Sequence, residues 1–383
     1  MRILGIETSA DETGVSLIEA DGAFGADFSF KTLGNSLASQ TETHARFGGI
    51  FPNMAAREHQ KNLVPLLHST LEQAGLLHPG SCAHDISGIL VRESDLAAAL
   101  DEFLAHHTRP DIDCIAVTHG PGLEPTLWVG INCAKALASA WRVPLVPVNH
   151  MEGHILISAV TNGALSRFSF PLLSLLISGG HTELVLSEEW MRYKLLGQTR
   201  DDAVGEAFDK VARLFGLPYP GGPQISRLAT ELRRRNVAPN ISLPRPMIDS
   251  DDYDFSFAGL KTAVRRIVEA NQPLSENMKK EIALEFENAC ADVLIAKTMR
   301  AIEEYGAETV LIGGGVSANV HIRAHLAETI ANYGTGTKLL VPPPELATDN
   351  ALMIALAGYF RAQKNKYAEP ASIRADGTLS LAT

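Results

Sequence analysis

Short apolar runs alternate with longer amphipathic stretches along most of the chain, the rhythm of an α/β protein. The runs predict strands over Ile3–Thr8, Val15–Ala20, Ile112–Thr118, Leu145–Val148, Leu172–Ile177, Glu183–Ser187, Thr309–Ile312 and Leu339–Val341. The amphipathic stretches predict helices over Ala55–Ala74, Pro125–Ala140, Ala203–Leu214, Gln224–Arg234, Leu260–Ala270, Ser275–Glu304, Ala318–Ala331 and Ala347–Ala362. A looser unit recurs: an apolar strand, a loop rich in Gly, Ser or Thr, then another strand or a helix. Residues His78–Pro110 interrupt this rhythm. They are richer in polar residues, carry a short helical stretch near Leu96–His106, and read as an insertion. The small and polar Thr161-Asn162-Gly163-Ala164 suggests a boundary near Val160–Phe168. The expected organisation is an N-terminal lobe over 1–160 containing the insertion 78–110, a second lobe over 161–364, and a loose tail over 365–383.

The 383 residues are 45% hydrophobic and 20% charged, which excludes a disordered, collagen-like or coiled-coil protein. No run of 18 apolar residues is present, so no transmembrane helix is expected, and the early Glu7 argues against a secretion signal. Cys82, Cys114, Cys133 and Cys290 lie far apart with no C-x-x-C pair, consistent with free thiols in a reducing cytoplasm. Lys and Arg total 33 against 44 Asp and Glu, a net charge of −11. Such a surface repels phosphate backbones, so nucleic-acid binding would need a local basic patch or a partner.

Four loops after predicted strands could cradle a phosphate: Thr8–Gly14 with Asp11 and Glu12, His119-Gly120-Pro121-Gly122, Ser178-Gly179-Gly180-His181-Thr182, and Gly313–Asn319. Glycine lets backbone N–H groups approach an anion, and a helix N-terminus adds favourable potential. None matches the Walker or the Rossmann pattern. As a set they suit a nucleotide held by similar α/β lobes. His150 and His154, four residues apart, share one helix face, about 40° apart, and can reach one metal ion; ordinary polar residues at a helix start are the alternative. Glu152 lies about 200° from each histidine, so H-x-E-x-H does not supply the base of an H-E-x-x-H metalloprotease. Asp349 follows a proline-rich loop at an expected helix start, where a helix N-cap is the simplest role. The histidines His78, His84, His106 and His107 of the insertion suggest a solvated surface more than a metal site.

Taken in order, Ile6–Gly14, His119–Leu123, His150–His154, Ile177–Thr182, Phe255–Thr262, Gly313–Asn319 and Thr348–Ala351 resemble the bacterial tRNA threonylcarbamoyladenosine transferase family TsaD, once labelled glycoprotease. The resemblance covers about 1–77 and 111–364. It implies two ribonuclease-H-like lobes of the actin, sugar-kinase and Hsp70 (ASKHA) type. It also implies transfer of a threonylcarbamoyl group from threonylcarbamoyl-AMP to N6 of the adenosine 3′ of the anticodon, in tRNAs reading codons that start with A. His150, His154 and Asp349 are the implied ligands of one divalent metal, iron(II) in the first place and zinc in the second. Leu176, Ile177, Ser178, Gly179 and Gly180 are the implied substrate loop. Asp209 is the implied ribose-binding carboxylate, with Gly222 and Asn319 as further nucleotide contacts. Asp11 and Glu12 are candidate catalytic carboxylates that orient a cation or the amine; solvated loop carboxylates are the alternative. The implied partners are tRNA, a paralogue resembling TsaB and an ATPase resembling TsaE, in the cytoplasm and away from membranes. Two features depart from the pattern: Ser226 stands where many members carry Asp, and the segment 78–110 has no counterpart in compact members. A metalloprotease and a non-catalytic nucleotide-binding module remain as rival readings.

Overall fold

The apolar run at the N-terminus becomes the central strand of a five-stranded sheet in a computed structural model that describes residues 1–25, 27–82, 85–334 and 336–381. The chain divides into two units, one of Met1–Ser166 with Asp349–Leu381, the other of Arg167–Thr348. In the first, β1 (Arg2–Glu7), β2 (Glu12–Asp21) and β3 (Ser29–Ser39) form an antiparallel meander. Helices α1 (Thr41–Ala45), α2 (Pro52–Gln73) and α3 (Ser94–His106) follow. Then β4 (Cys114–Gly120), α4 (Glu124–Trp141) and β5 (Leu145–Asn149) extend the sheet in parallel, giving the order β3-β2-β1-β4-β5. The buried helix α5 (His150–Ser158) leaves β5 directly, and β6 (Val160–Thr161) pairs with β7 (Ala164–Leu165) as a small hairpin.

The second unit repeats this topology. Strands β8 (Leu172–Ile177), β9 (Thr182–Glu189) and β10 (Arg192–Gln198) form the meander. Helices α6 (Val204–Leu214), α7 (Gly221–Arg233), α8 (Ala258–Ala270) and α9 (Glu276–Tyr305) precede β11 (Thr309–Gly313). Helix α10 (Val320–Tyr333), β12 (Lys338–Leu340) and the short α11 (Pro344–Ala347) complete it, in the order β10-β9-β8-β11-β12. Two sheets with one strand order are the duplicated ribonuclease-H-like architecture of the ASKHA type. Helix α12 (Ala351–Gln363) then packs on β1, β2, β4 and β5 of the first sheet.

The expected segmentation changes in three places. The lobe drawn over 161–364 loses its last helix, because Ala351, Met353, Ile354, Ala355 and Ala357 are buried in the first unit. The tail drawn as loose over 365–383 is tied down as far as Leu381: Ala368 N–H donates to the Leu145 carbonyl at 3.0 Å, Lys135 Nζ donates to the Ile373 carbonyl at 2.9 Å, and Ile373 is 3% exposed. Ala382 and Thr383 lie outside the described residues. The segment 78–110 is no appendage: Leu96, Leu100, Phe103 and Leu104 of α3 enter the first unit's core with Leu63 and Leu67 of α2. Each buried leucine there contributes on the order of 2 kcal/mol. Strands β3 and β10 escape prediction because both lie at sheet edges and carry exposed polar residues.

Candidate metal centre and anion cradle

Asn149 ends β5 and caps α5, its side chain accepting the Met151 N–H at 2.9 Å, so His150 enters the helix at its first residue. One turn later His154 lies on the same face, as the spacing predicts. Gly153 between them lets α12 approach: a Cβ there would meet Met353 Cγ at 3.0 Å. That packing brings the head of α12 to the histidines. The cap of α12 is Asn350, whose side chain accepts the Met353 N–H at 3.1 Å, and not Asp349 as expected. Relieved of capping, the Asp349 carboxylate turns to the imidazoles.

The three side chains converge within the first unit. His154 Nε2 lies 3.0 Å from Asp349 Oδ1 and 3.2 Å from His150 Nε2, and His150 Nε2 lies 3.4 Å from Asp349 Oδ1. Three donor atoms each about 2.1 Å from one ion stand roughly 3.0–3.4 Å apart at octahedral to tetrahedral angles. The residues therefore fit a divalent ion, with two imidazoles and one carboxylate leaving coordination positions open. His150 is buried, and although burial opposes its charge, Asp349 and Glu7 hold its pKa well above the ordinary value. Asp349 is held well below the carboxylate range: burial works the other way, and His150 and His154 overcome it. A cation in the cluster would satisfy the same carboxylate. Among the described residues this is the one group of three or more His, Cys, Asp and Glu arranged to hold a metal. His78, His106 and His107 are not gathered into such a group; His84 lies outside the described residues.

Glu152 points elsewhere. It is 1% exposed and its Oε2 takes the Arg361 guanidinium of α12 at 2.6 Å, so it offers no base to the histidine cluster. That geometry disfavours the metalloprotease reading.

The loop from β1 to β2 carries Asp11, and Glu12 opens β2, in the same unit. Burial raises both carboxyl pKa values; Asp349 and the neighbouring Asp11 carry Glu12 further, up to about 10. These are not solvated loop carboxylates. The loop is pinned by Thr126 and Leu123, whose hydroxyl and N–H donate to the Ser9 carbonyl at 3.1 and 2.8 Å, and by Gln40 N–H, which donates to the Asp11 carbonyl at 2.9 Å. Glu7, missed in the sequence, is wholly buried beside this loop. The available signal was a carboxylate ending an otherwise apolar strand.

In the second unit, Leu176 and Ile177 are buried strand residues, so Ser178, Gly179 and Gly180 alone form the open turn. The Ser178 hydroxyl accepts the His181 N–H at 3.0 Å and closes that turn. Helix α6 starts hard against it: a Cβ on Gly205 would lie 2.5 Å from the Ser178 carbonyl oxygen. Cβ atoms on Gly179, Gly180, Gly222 or Gly315 would meet only open space. Asp209 Oδ1 accepts the Gly221 N–H at the start of α7 at 2.7 Å, and burial raises its pKa. Asn319 caps α10 by accepting the Ile322 N–H at 3.0 Å, while its amide donates to Ser226 Oγ and Glu287 Oε1, each at 2.8 Å. Its polar atoms are thus already engaged within the unit. Open glycine turns and helix N-termini are the kind of backbone that can donate N–H groups to an anion.

A family model described as "TsaD: tRNA N6-adenosine threonylcarbamoyltransferase" matches residues 31–89 and 94–356. Of the segment expected as an insertion, only 90–93 falls between the matched stretches. The chain is 42% identical over 367 residues to the tRNA N6-adenosine threonylcarbamoyltransferase of Bacillus cereus, covering 96% of this chain and 93% of that protein. It is 42% identical over 392 residues to the protein of that name from Thermomicrobium roseum, covering 96% and 94%. In three dimensions it resembles full-length HypF in a phosphate- and nucleotide-bound form, with a TM-score of 0.52 over 95% of this chain and 55% of that one; at 11% identity this likeness concerns the fold alone. With the family model spanning most of its length and close relatives matching nearly end to end, the chain belongs to the TsaD family of tRNA N6-adenosine threonylcarbamoyltransferases.

Proposed function

We infer that this chain transfers a threonylcarbamoyl group from threonylcarbamoyl-AMP to N6 of the adenosine next to the anticodon in tRNAs reading codons that start with A, releasing AMP. The observation that carries the reading is the convergence of His150, His154 and Asp349 beside the carboxylates of Asp11 and Glu12, in a chain of this family. Adenosine N6 is a weak nucleophile, so the acyl group must arrive activated, as the mixed anhydride with AMP. His150, His154 and Asp349 would hold the divalent ion, iron(II) or zinc, which when bound supplies Lewis-acid polarisation of the acyl oxygen. The Ser178–Gly180 turn and the N-termini of α6 and α7 offer backbone N–H groups suited to a phosphate. Asp209 accepts from the ribose hydroxyls. N6 attacks the carbamoyl carbon, the carbon–oxygen bond to phosphate breaks, and AMP leaves with that oxygen. The proton lost from N6 passes to the Asp11–Glu12 pair, which orients the amine beforehand. No Ser–His–Asp or Cys–His nucleophile is needed, and transfer is direct.

The function implies work in the cytoplasm with tRNA and with protein partners resembling TsaB and TsaE; among the described residues no helix is long and apolar enough to cross a membrane. The test is to express the chain in a cell lacking its own transferase and digest the tRNA for nucleoside mass spectrometry. Threonylcarbamoyladenosine should return; a viable, expressing cell without it contradicts the reading.

A further inference from the structure

Glu7 closes β1 with its side chain wholly buried, and among the described residues its side chain meets His150 of α5, Thr118 of β4 and Ser9. Its Oε2 lies 3.2 Å from His150 Nδ1 and accepts the Thr118 hydroxyl of β4 at 2.5 Å. Its Oε1 accepts the Ser9 N–H, at 2.5 Å, from the loop that leads to Asp11 and Glu12. Ser9 Oγ in turn lies 3.2 Å from the same His150 Nδ1. The Glu7 oxygens already accept from Ser9 and Thr118, so the atom facing them on His150 is Nδ1–H, which leaves Nε2 as the nitrogen whose lone pair a metal ion would take. That is the nitrogen aimed at Asp349 and His154. His154 has no such support: its Nδ1 is buried with no hydrogen-bond partner. Buried charge without a purpose is costly, and an apolar residue at the end of this apolar strand would avoid that cost.

We propose that Glu7 is the positioning residue of the metal centre: it fixes the tautomer and ring orientation of His150 and ties that ligand to the Ser9–Glu12 loop, making His150 the anchored imidazole and His154 the less constrained one. This rests on the metal reading of the His150–His154–Asp349 cluster. A carboxylate behind a ligating imidazole raises its basicity and holds it in place, and losing such a partner weakens metal binding about 10–100-fold.

The test uses the metal-stripped full-length protein titrated with cobalt(II), read by its visible absorption and by competition with a chelator. His150→Ala should abolish binding; if it does not, the metal reading itself fails. With that control satisfied, Glu7→Gln should weaken cobalt binding about 10–100-fold while the thermal unfolding profile stays cooperative. Ser9→Ala, which leaves the carboxylate in place, should change affinity less than Glu7→Gln. Glu152→Gln, on the same helix but paired with Arg361, should bind as the parent does. A folded Glu7→Gln protein with parental affinity overturns the proposal. Should Glu7→Gln fail to fold, the nitrogen-15 histidine spectrum of the zinc-loaded parent decides. The Nδ1–H proton of His150 should appear well downfield of that of His154, as a carboxylate-bound proton does. Equal positions, or the reverse order, overturn the proposal.

Discussion

Removing any one donor from the His150, His154 and Asp349 cluster leaves two, too few to neutralise and fix a divalent ion. His150→Ala and His154→Ala should each lose most bound metal and all transfer. Asp349→Asn keeps the shape and loses the charge, and should do nearly the same; metal content by mass spectrometry of the purified variants checks all three. Asp209 combines a structural contact with the proposed ribose-binding role. Asp209→Ala should weaken AMP binding by about 1.5–3 kcal/mol, read by calorimetry. It should also lower stability by about 1 kcal/mol, because the Gly221 N–H at the head of α7 loses its acceptor. Asp209→Asn, which keeps an acceptor, should separate the two effects. Glu183 on β9 gives a pH signature: burial pushes its carboxyl from the ordinary 4.5 up to about 7. A raised folded-state pKa means its contribution is fully present below pH 4.5 and is lost as pH climbs through 7. Unfolding free energy should therefore fall across that window by on the order of 1–3 kcal/mol, and Glu183→Gln should flatten the slope. Residue chemistry was legible where it depends on spacing, as for His150, His154 and the averted Glu152. Glu7 was not, because the one local sign, a carboxylate ending an apolar strand, does not show that β4 and α5 supply its partners.

At the scale of elements, the contact between the Ser178–Gly180 turn and α6 depends on the missing side chain of Gly205. Gly205→Ala puts a Cβ against the Ser178 carbonyl oxygen and must displace the turn or the helix. It should lower the unfolding temperature and weaken AMP binding together, whereas Gly222→Ala, whose Cβ would meet open space, should leave stability nearly unchanged. Central strands and long helices were readable because their apolar period survives burial on both faces, as in Leu172–Ile177. Edge strands β3 and β10 were not, since their exposed polar positions blur the alternation. The start of α12 moved for a capping reason: Asn350 competes with Asp349 for the cap and takes it. Asp349 is free for the histidines as a result, so a small error in the expected helix boundary concealed the reason for a ligand.

For the molecule as a whole, the division into two similar units was visible in the recurring strand–loop pattern, but the return of 349–381 to the first unit was not. Only the packing of α12 on β1, β2, β4 and β5 reveals it. One consequence is that all three residues of the candidate metal cluster belong to a single unit. Charge sets a second expectation at this scale. Several surface cations are already paired: Arg233 with Glu287, Lys261 with Asp202, Arg265 with Glu269, Lys279 with Glu276 and Lys280 with Glu231. With these cations engaged and a net charge of −11, the isolated chain should bind tRNA weakly and with strong salt dependence, and better with partner proteins present. A filter-binding series across salt concentrations checks this, and salt-insensitive nanomolar binding would refute it. The most direct test of the central claim is transfer in a defined mixture: unmodified tRNA, threonylcarbamoyl-AMP, the partner proteins, and either the parent chain or His154→Ala, read by nucleoside mass spectrometry. The parent should yield threonylcarbamoyladenosine and one AMP per transfer, and His154→Ala neither; equal product from both, or none from the metal-loaded parent, would contradict the account.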